Sequence, residues 1–405
     1  MDETRTGGEP LEKAAIGPLR DFPNPEAGPA PTTPAVSEYN NAKIRNLCLL
    51  LSIAVVFNHA VTWGDLRLWQ GESIAMPDLA DGAVGRFELL SQFFVSGALG
   101  RITNPVFFLA SGYLFFWAWR PSWSSLCRKW KRRTLSLLAP WAIWAALGKL
   151  LWLADYLVTN RHALGVMIRK GTWGGEELLM TYLGMHVPSQ LWFLQQLMYL
   201  MVFVVPVLIW LLPRLGWWVL GLGAILFFIP GLDPILIFRK PGLCFFTVGA
   251  LLGYKAQDLA LPSRRHAWIL TGAWLVGAAA YTAAAVFGSM PLTAIYKALV
   301  LLGVVGIWGA YDVFPETFRR GLGHLAPYRF FVYMGFDPLL PILHKHGYGA
   351  FAGSEMGRVA AYVVFPLAVV FLCTAGARLL LAISPGVYDV VSGGRTPGLV
   401  PQPRA

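Results

Sequence analysis

Long apolar runs separated by short polar segments set the pattern of this chain. About twenty apolar residues span a bilayer, and shorter runs survive when packed inside a bundle. Ten runs qualify: 45–63, 88–119, 135–157, 191–212, 216–231, 235–254, 267–288, 292–311, 329–344 and 359–382. The fifth, sixth and ninth are short or flanked by proline. The second contains Gly97, Gly100 and Pro105, which predicts a kink or break around Arg101. The expected fold is therefore all-α, a polytopic integral membrane protein of about ten transmembrane helices. No internal repeat is visible, which weakens the case for an inverted-repeat transporter. Residues 1–42 are polar and rich in Pro, Ala and Glu, reading as a disordered cytoplasmic tail. Residues 43–384 form the membrane domain and 385–405 a cytoplasmic C-terminal tail. The first segment lacks the apolar core and cleavage site of a signal peptide, so the first apolar helix is expected to act as an uncleaved anchor.

Composition agrees. Only 14% of the 405 residues are charged and 56% are hydrophobic, against roughly a quarter charged in soluble domains. Mean hydropathy is +0.53. The net charge of +11 would suit nucleic acid, but the basic residues sit in short loops between apolar runs. Retention of those loops in the cytoplasm explains them better, and no nucleic-acid partner is expected. Of the four cysteines, Cys48, Cys244 and Cys373 lie in apolar runs and Cys127 in a basic loop. Their spacing suggests neither a zinc site nor a disulfide framework.

Charge also sets orientation. The loop after the second run carries Arg120, Arg128, Lys129, Lys131, Arg132 and Arg133 without an acid. The loop after the first holds Asp65, Glu72, Asp78, Asp81 and Glu88 against Arg67 and Arg86. Positive loops stay inside, so both termini should be cytoplasmic and the acidic loop external. Lys255, Arg264 and Arg265, Arg319 and Arg320, and Arg395 all agree with that arrangement.

Two ionisable groups then stand out. His59 lies near the outer end of the first run and Arg101 interrupts the second. Ionisable groups at membrane depth are costly and mark functional sites, although a hydrogen-bonded histidine and a snorkelling arginine are the plain alternatives. His59 is fourteen residues past Arg45, about 21 Å at roughly 1.5 Å per residue. Arg101 falls in the same outer half, so the two can meet, with Arg45 at the opposite side. An imidazole can take the proton of an attacking hydroxyl, and an adjacent guanidinium can hold the oxyanion that develops. Transfer of an acyl group from a thioester to an alcohol needs both roles and no metal.

The residues around Arg101, Gly-Arg-Ile-Thr-Asn-Pro-Val-Phe-Phe-Leu-Ala-Ser-Gly-Tyr-Leu-Phe-Phe, resemble the second-helix signature of the membrane acyltransferase 3 family. Lys131–Pro140 followed by Trp141 and Trp144 resembles the family's basic loop and third helix. Leu191-Trp192-Phe193-Leu194 matches its Leu-Trp-Phe-Leu element. Phe330–Leu340 resembles its penultimate helix, and Ser384-Pro385 through Gly393-Gly394-Arg395 its C-terminal ending. The likeness spans about residues 43–395. It implies an O-acyltransferase moving an acyl group, most simply acetyl from acetyl-CoA, to a hydroxyl of an envelope or exported glycan or a lipid-linked sugar. Acyl-CoA is then a donor substrate, with no permanently bound cofactor, and the expected location is the bacterial cytoplasmic (inner) membrane.

The family's first helix places an arginine, ten intervening residues and then the histidine; here Cys48 holds the arginine position and Arg45 is the nearest arginine. The resemblance implies His59 and Arg101 as catalytic residues, with Arg45, Tyr113, Trp192 and Asp337 as substrate-binding candidates. Each has a plainer alternative. Ser111-Gly112-Tyr113 can serve helix packing, Trp192 can be an interfacial anchor, and Asp337 can simply break the helix before Pro338. Lys297 either binds a phosphate or snorkels, and His344 and His346 read as an interfacial pair in preference to metal ligands. Glu176, Glu177 and His186 occupy an outer loop where an acceptor would approach. The basic loop Arg128–Arg133 serves retention, CoA-phosphate binding, or both. A transporter or polysaccharide exporter, with the same polar residues lining a path, is the rival on composition. A family member that has lost activity and serves as an assembly partner is the third reading.

Overall fold

The computed structural model describes residues 38–62, 84–117, 123–159, 190–228, 239–259, 261, 263–287 and 293–397. Every regular element among them is a helix. Seven segments are long and apolar enough to cross a membrane: Glu38–His59, Arg86–Phe116, Leu126–Thr159, Trp192–Leu215, Arg264–Phe287, Ile295–Val313 and Glu355–Ile383. Three shorter or bent helices, Trp218–Phe228, Lys240–Tyr254 and Arg329–Gly347, stand where the other three runs were expected. Length and composition alone therefore qualify seven of the described helices as crossings, and these three fall outside that criterion. Large apolar side chains such as Val276, Phe371 and Ile383 are 70%, 70% and 73% exposed. Such surfaces are rare on soluble monomers and suit hydrocarbon contact. The chain is an integral membrane protein.

Helix α1 (Glu38–His59) is the centre of the packing. Its Leu47 and Leu51 belong to one buried cluster, with Phe93, Ile102, Trp274 and Tyr281. Val55 and Val56, one to two turns on, belong to another, with Phe108, Phe193, Val332 and Phe336. Apolar residues on all sides let α1 be enclosed by neighbouring helices, as a helix hydrophobic all round must be. Its first turns are pinned by Lys43, fully buried and paired with Asp312 at 2.7 Å, with the ammonium 4.5 Å from the Trp308 ring. Asn46 donates to the Tyr311 hydroxyl at 3.0 Å.

The second crossing changes pitch where the sequence predicted a break. Helix α2 (Arg86–Gln92) passes into a π-turn at Phe93–Ala98, then a 3₁₀ turn at Leu99–Ile102, before α3 (Thr103–Phe116) resumes. Pitch changes of this kind inside a helix are frequent at functional sites. Along α3 the backbone approaches the helix Lys240–Tyr254 so closely that side chains are excluded. A Cβ on Gly112 would lie 2.2 Å from the Phe246 oxygen, and one on Gly249 2.0 Å from the Leu109 oxygen. Small residues permit this approach.

Two boundaries differ from those expected. The first helix begins at Glu38, inside the segment 1–42 read as a tail. The segment after 384 is docked: Pro385–Ser392 is helical, and Tyr388 stacks on Phe331 at 4.9 Å and 14°. Arg395 closes this contact, donating to the Ser392 oxygen at 2.5 Å with its guanidinium 4.5 Å from the Phe330 ring. Burial, with Arg133 and Arg329 nearby, lowers the Arg395 guanidinium to about 9.

Candidate active site

His59 is the last residue of α1, and three elements meet there. Its neighbour Asn58 donates to the Gly100 carbonyl at 3.1 Å, tying the end of α1 to the 3₁₀ turn that carries Arg101. The missing side chain of Gly100 leaves room for that amide. A Cβ on Gly100 would lie 1.9 Å from the Asn58 amide oxygen. One turn earlier, Ser96 donates to the Phe57 carbonyl at 3.0 Å and pairs with the Tyr362 hydroxyl at 2.7 Å. Two backbone-directed bonds therefore register the second crossing against α1.

The third element is the bent helix Arg329–Gly347. Asp337 has non-helical dihedrals (φ −103°, ψ 117°), and the chain continues through Pro338. The Phe336 ring lies 5.0 Å from the His59 ring. Asp337 is 8% exposed, and both its charge and that of Arg101 act on the His59 imidazole. Asp337 thus does break the helix, and it also stands at the histidine. Arg101 in turn is within electrostatic reach of Tyr281 and Tyr296, whose rings lie 6.3 Å apart. His59 itself remains exposed among the described residues. A base flanked by an acid and a guanidinium, yet accessible, suits proton abstraction from an incoming hydroxyl.

The remaining candidates lie apart from this group. Arg45 is exposed near the other end of α1, close to Arg329 and Cys48. Arg329, on the bent helix, thus brings a guanidinium beside the position where the sequence has Cys48. Tyr113 is fully buried, donates to the Gln257 carbonyl at 2.9 Å, and packs with Ile44 and Ala110 well away from His59. Trp192 receives the Arg239 guanidinium over its ring at 4.1 Å. Lys297 donates to the Phe228 carbonyl at 3.3 Å. Lys345 and His346 share Asp155, at 2.5 and 2.6 Å. Glu176, Glu177, His186 and Arg120 lie outside the described residues.

Sequence reasoning missed five contributors. Asn58 and Gly100 act through a side chain and a backbone that meet only in space. Tyr281 and Tyr296 come from helices distant in sequence. Gln190, one residue before Leu-Trp-Phe-Leu, is 1% exposed and donates to the carbonyls of Met334 and Asp337 at 2.8 and 2.9 Å. Its adjacency to that element was the available signal.

Beyond His59, Thr62 donates to Glu88 at 2.6 Å, and buried Glu88 pairs with Arg358 at 2.7 Å. The chain leaving the histidine is therefore anchored to the first turn of α2 and to the helix Glu355–Ile383.

Comparison with curated proteins and with solved structures returned no match. Residues 46–378 match the family model described as an acyltransferase domain, a stretch that contains His59, Arg101 and Asp337. With more than half of its length matched, the chain belongs to the acyltransferase 3 family and is a membrane acyltransferase.

Proposed function

We propose that the protein transfers an acyl group, most simply acetyl, from acyl-CoA to a hydroxyl of a cell-envelope or exported glycan. The observation that supports this reading is the junction of three elements at His59: the adjoining Asn58 bonds the Gly100 carbonyl next to Arg101, and the Phe336 ring, next to Asp337, lies 5.0 Å from the imidazole. His59 is the general base, taking the proton of the acceptor hydroxyl as its oxygen attacks the thioester carbonyl. Arg101 holds the oxyanion of the tetrahedral intermediate. Asp337 favours the imidazolium that forms. Collapse of the intermediate expels the CoA thiolate, which recovers the proton from His59.

Donor entry is proposed at the other end of α1. Arg45, Arg329 and the basic turns of Leu126–Thr159 gather there, and CoA phosphates suit such a cluster. In this reading the protein resides in the bacterial inner membrane with both termini cytoplasmic, and the acceptor approaches from outside. The test is acetyl transfer in membranes from a His59→Ala strain with matched protein levels. Transfer should fall by about 10²-fold or more; undiminished transfer would remove His59 as the base. Mass analysis of surface glycans with and without the protein checks the acceptor class, with unmodified glycan still exported expected in its absence.

A further inference from the structure

The break in the helix Arg329–Gly347 creates a specific backbone problem. In a regular helix the Met334 carbonyl would receive the N–H of residue 338, and the Asp337 carbonyl that of residue 341. Both positions are proline, Pro338 and Pro341, which have no N–H. The non-helical ψ of Asp337 also turns its carbonyl away from the helix axis. Two buried acceptors are thus left without their usual donors, a situation that native proteins rarely leave unrepaired. Gln190 repairs both: its single amide nitrogen donates to Met334 at 2.8 Å and to Asp337 at 2.9 Å. Gln190 is in turn held by the same helix, since the Tyr333 hydroxyl donates to its backbone carbonyl at 3.1 Å.

The amide is there for its two hydrogens. Its own oxygen is buried without a donor among the described residues. An apolar side chain of the same size would avoid that cost but leave the Met334 and Asp337 carbonyls without the amide donor. What the glutamine secures is the geometry of the break, and Asp337 is the residue at the break. We infer that Gln190 is a positioning residue for acyl transfer: by fixing the Asp337 carbonyl it aims the Asp337 carboxylate, and the adjoining Phe336 ring, at His59. The inference rests on the reading of His59 and Asp337 given above.

The test compares wild type, Asp337→Asn, Gln190→Met and Gln190→Glu as purified full-length protein in detergent. Methionine preserves the volume and removes both donors; glutamate preserves the shape and replaces the amide nitrogen by oxygen. Carbethoxylation of His59 by diethyl pyrocarbonate is followed by mass spectrometry from about pH 5 to about pH 9, spanning the histidine range. The charged groups acting on this imidazole are Asp337 and Arg101. The expected result is that D337N displaces the labelling midpoint and that Q190M and Q190E displace it in the same sense. Acetyl transfer should fall about tenfold in kcat with an unchanged KM for acetyl-CoA, as expected for a group moved by a fraction of an ångström. If D337N shifts the midpoint and both Gln190 variants leave it in place, the positioning role is overturned while the Asp337–His59 pairing stands. If D337N itself shifts nothing, the pairing is wrong and the inference falls with it. If both Gln190 variants only lower the yield of folded protein and label like wild type, Gln190 is a folding element and the inference is also overturned.

Discussion

Gly100 is where one hydrogen in place of a methyl group decides whether two candidate side chains of the site come together. Its carbonyl accepts the Asn58 amide, and its missing Cβ makes room for that amide. Arg101 follows immediately and His59 follows Asn58, so this contact sets the spacing of imidazole and guanidinium. Gly100→Ala should separate them by forcing the 3₁₀ turn away from α1. The expected loss is about 10²-fold in acyl transfer, with folded protein still recovered because the clash is confined to one polar side chain. Transfer assays normalised to folded protein check it; near-normal activity would show that the turn has slack. His59 and Arg101 stood out in the sequence as candidates because ionisable groups contrast with an apolar background. Asn58 and Gly100 were not, since a small polar residue and a glycine in an apolar run look like ordinary packing.

At the scale of elements, the helix pair α3 and Lys240–Tyr254 shows what holds this part of the bundle together. Gly112, Gly249 and Gly253 each face a backbone oxygen of the other helix. Gly249→Val should therefore push the helices apart, at a cost of about 1–3 kcal/mol from overpacking. A lower thermal midpoint in detergent is the expected reading, and an unchanged midpoint would mean that the contact is dispensable. The Ser-Gly-Tyr stretch gave this contact away, because small residues in a membrane helix read as an interface. The break near Arg101 was equally legible from Gly97, Gly100 and Pro105. What stayed hidden was the repair of the second break. Pro338 and Pro341 announce lost hydrogen bonds, but nothing in a linear sequence says that Gln190, nearly 150 positions away, supplies them. The run 216–231 is a helix of eleven described residues, Trp218–Phe228, and hydropathy alone does not say where such a helix lies.

For the molecule as a whole, the question that structure and charge raise together is orientation. Arg45, Arg133, Arg329 and Arg395 come from four different segments yet influence one another's charges in sequence, Arg45 with Arg329 and Arg395 with both Arg133 and Arg329. The folded chain therefore concentrates basic groups at the Arg45 end of α1, about 21 Å along the helix from His59. Glu88 and Glu355 stand near the His59 end, where Glu88 is paired with Arg358 and where Asp155 is paired with Lys345 and His346. In the proposed orientation the positive-inside rule puts the arginine cluster in the cytosol, on the side of the proposed CoA donor, and His59 towards the outside. Cys127 offers a native probe, being an exposed thiol just before Arg128, while Cys244 and Cys373 are buried and Cys48 is partly so. A membrane-impermeant maleimide should label Cys127 in inverted vesicles and leave it unlabelled in intact cells, with Cys127→Ser defining the background from the other three. The converse labelling would place the basic cluster outside. It would leave the proposed donor site without access to cytosolic acyl-CoA and turn His59 away from an exported acceptor, so the proposed direction of transfer would have to be abandoned even if the base and its partners were right.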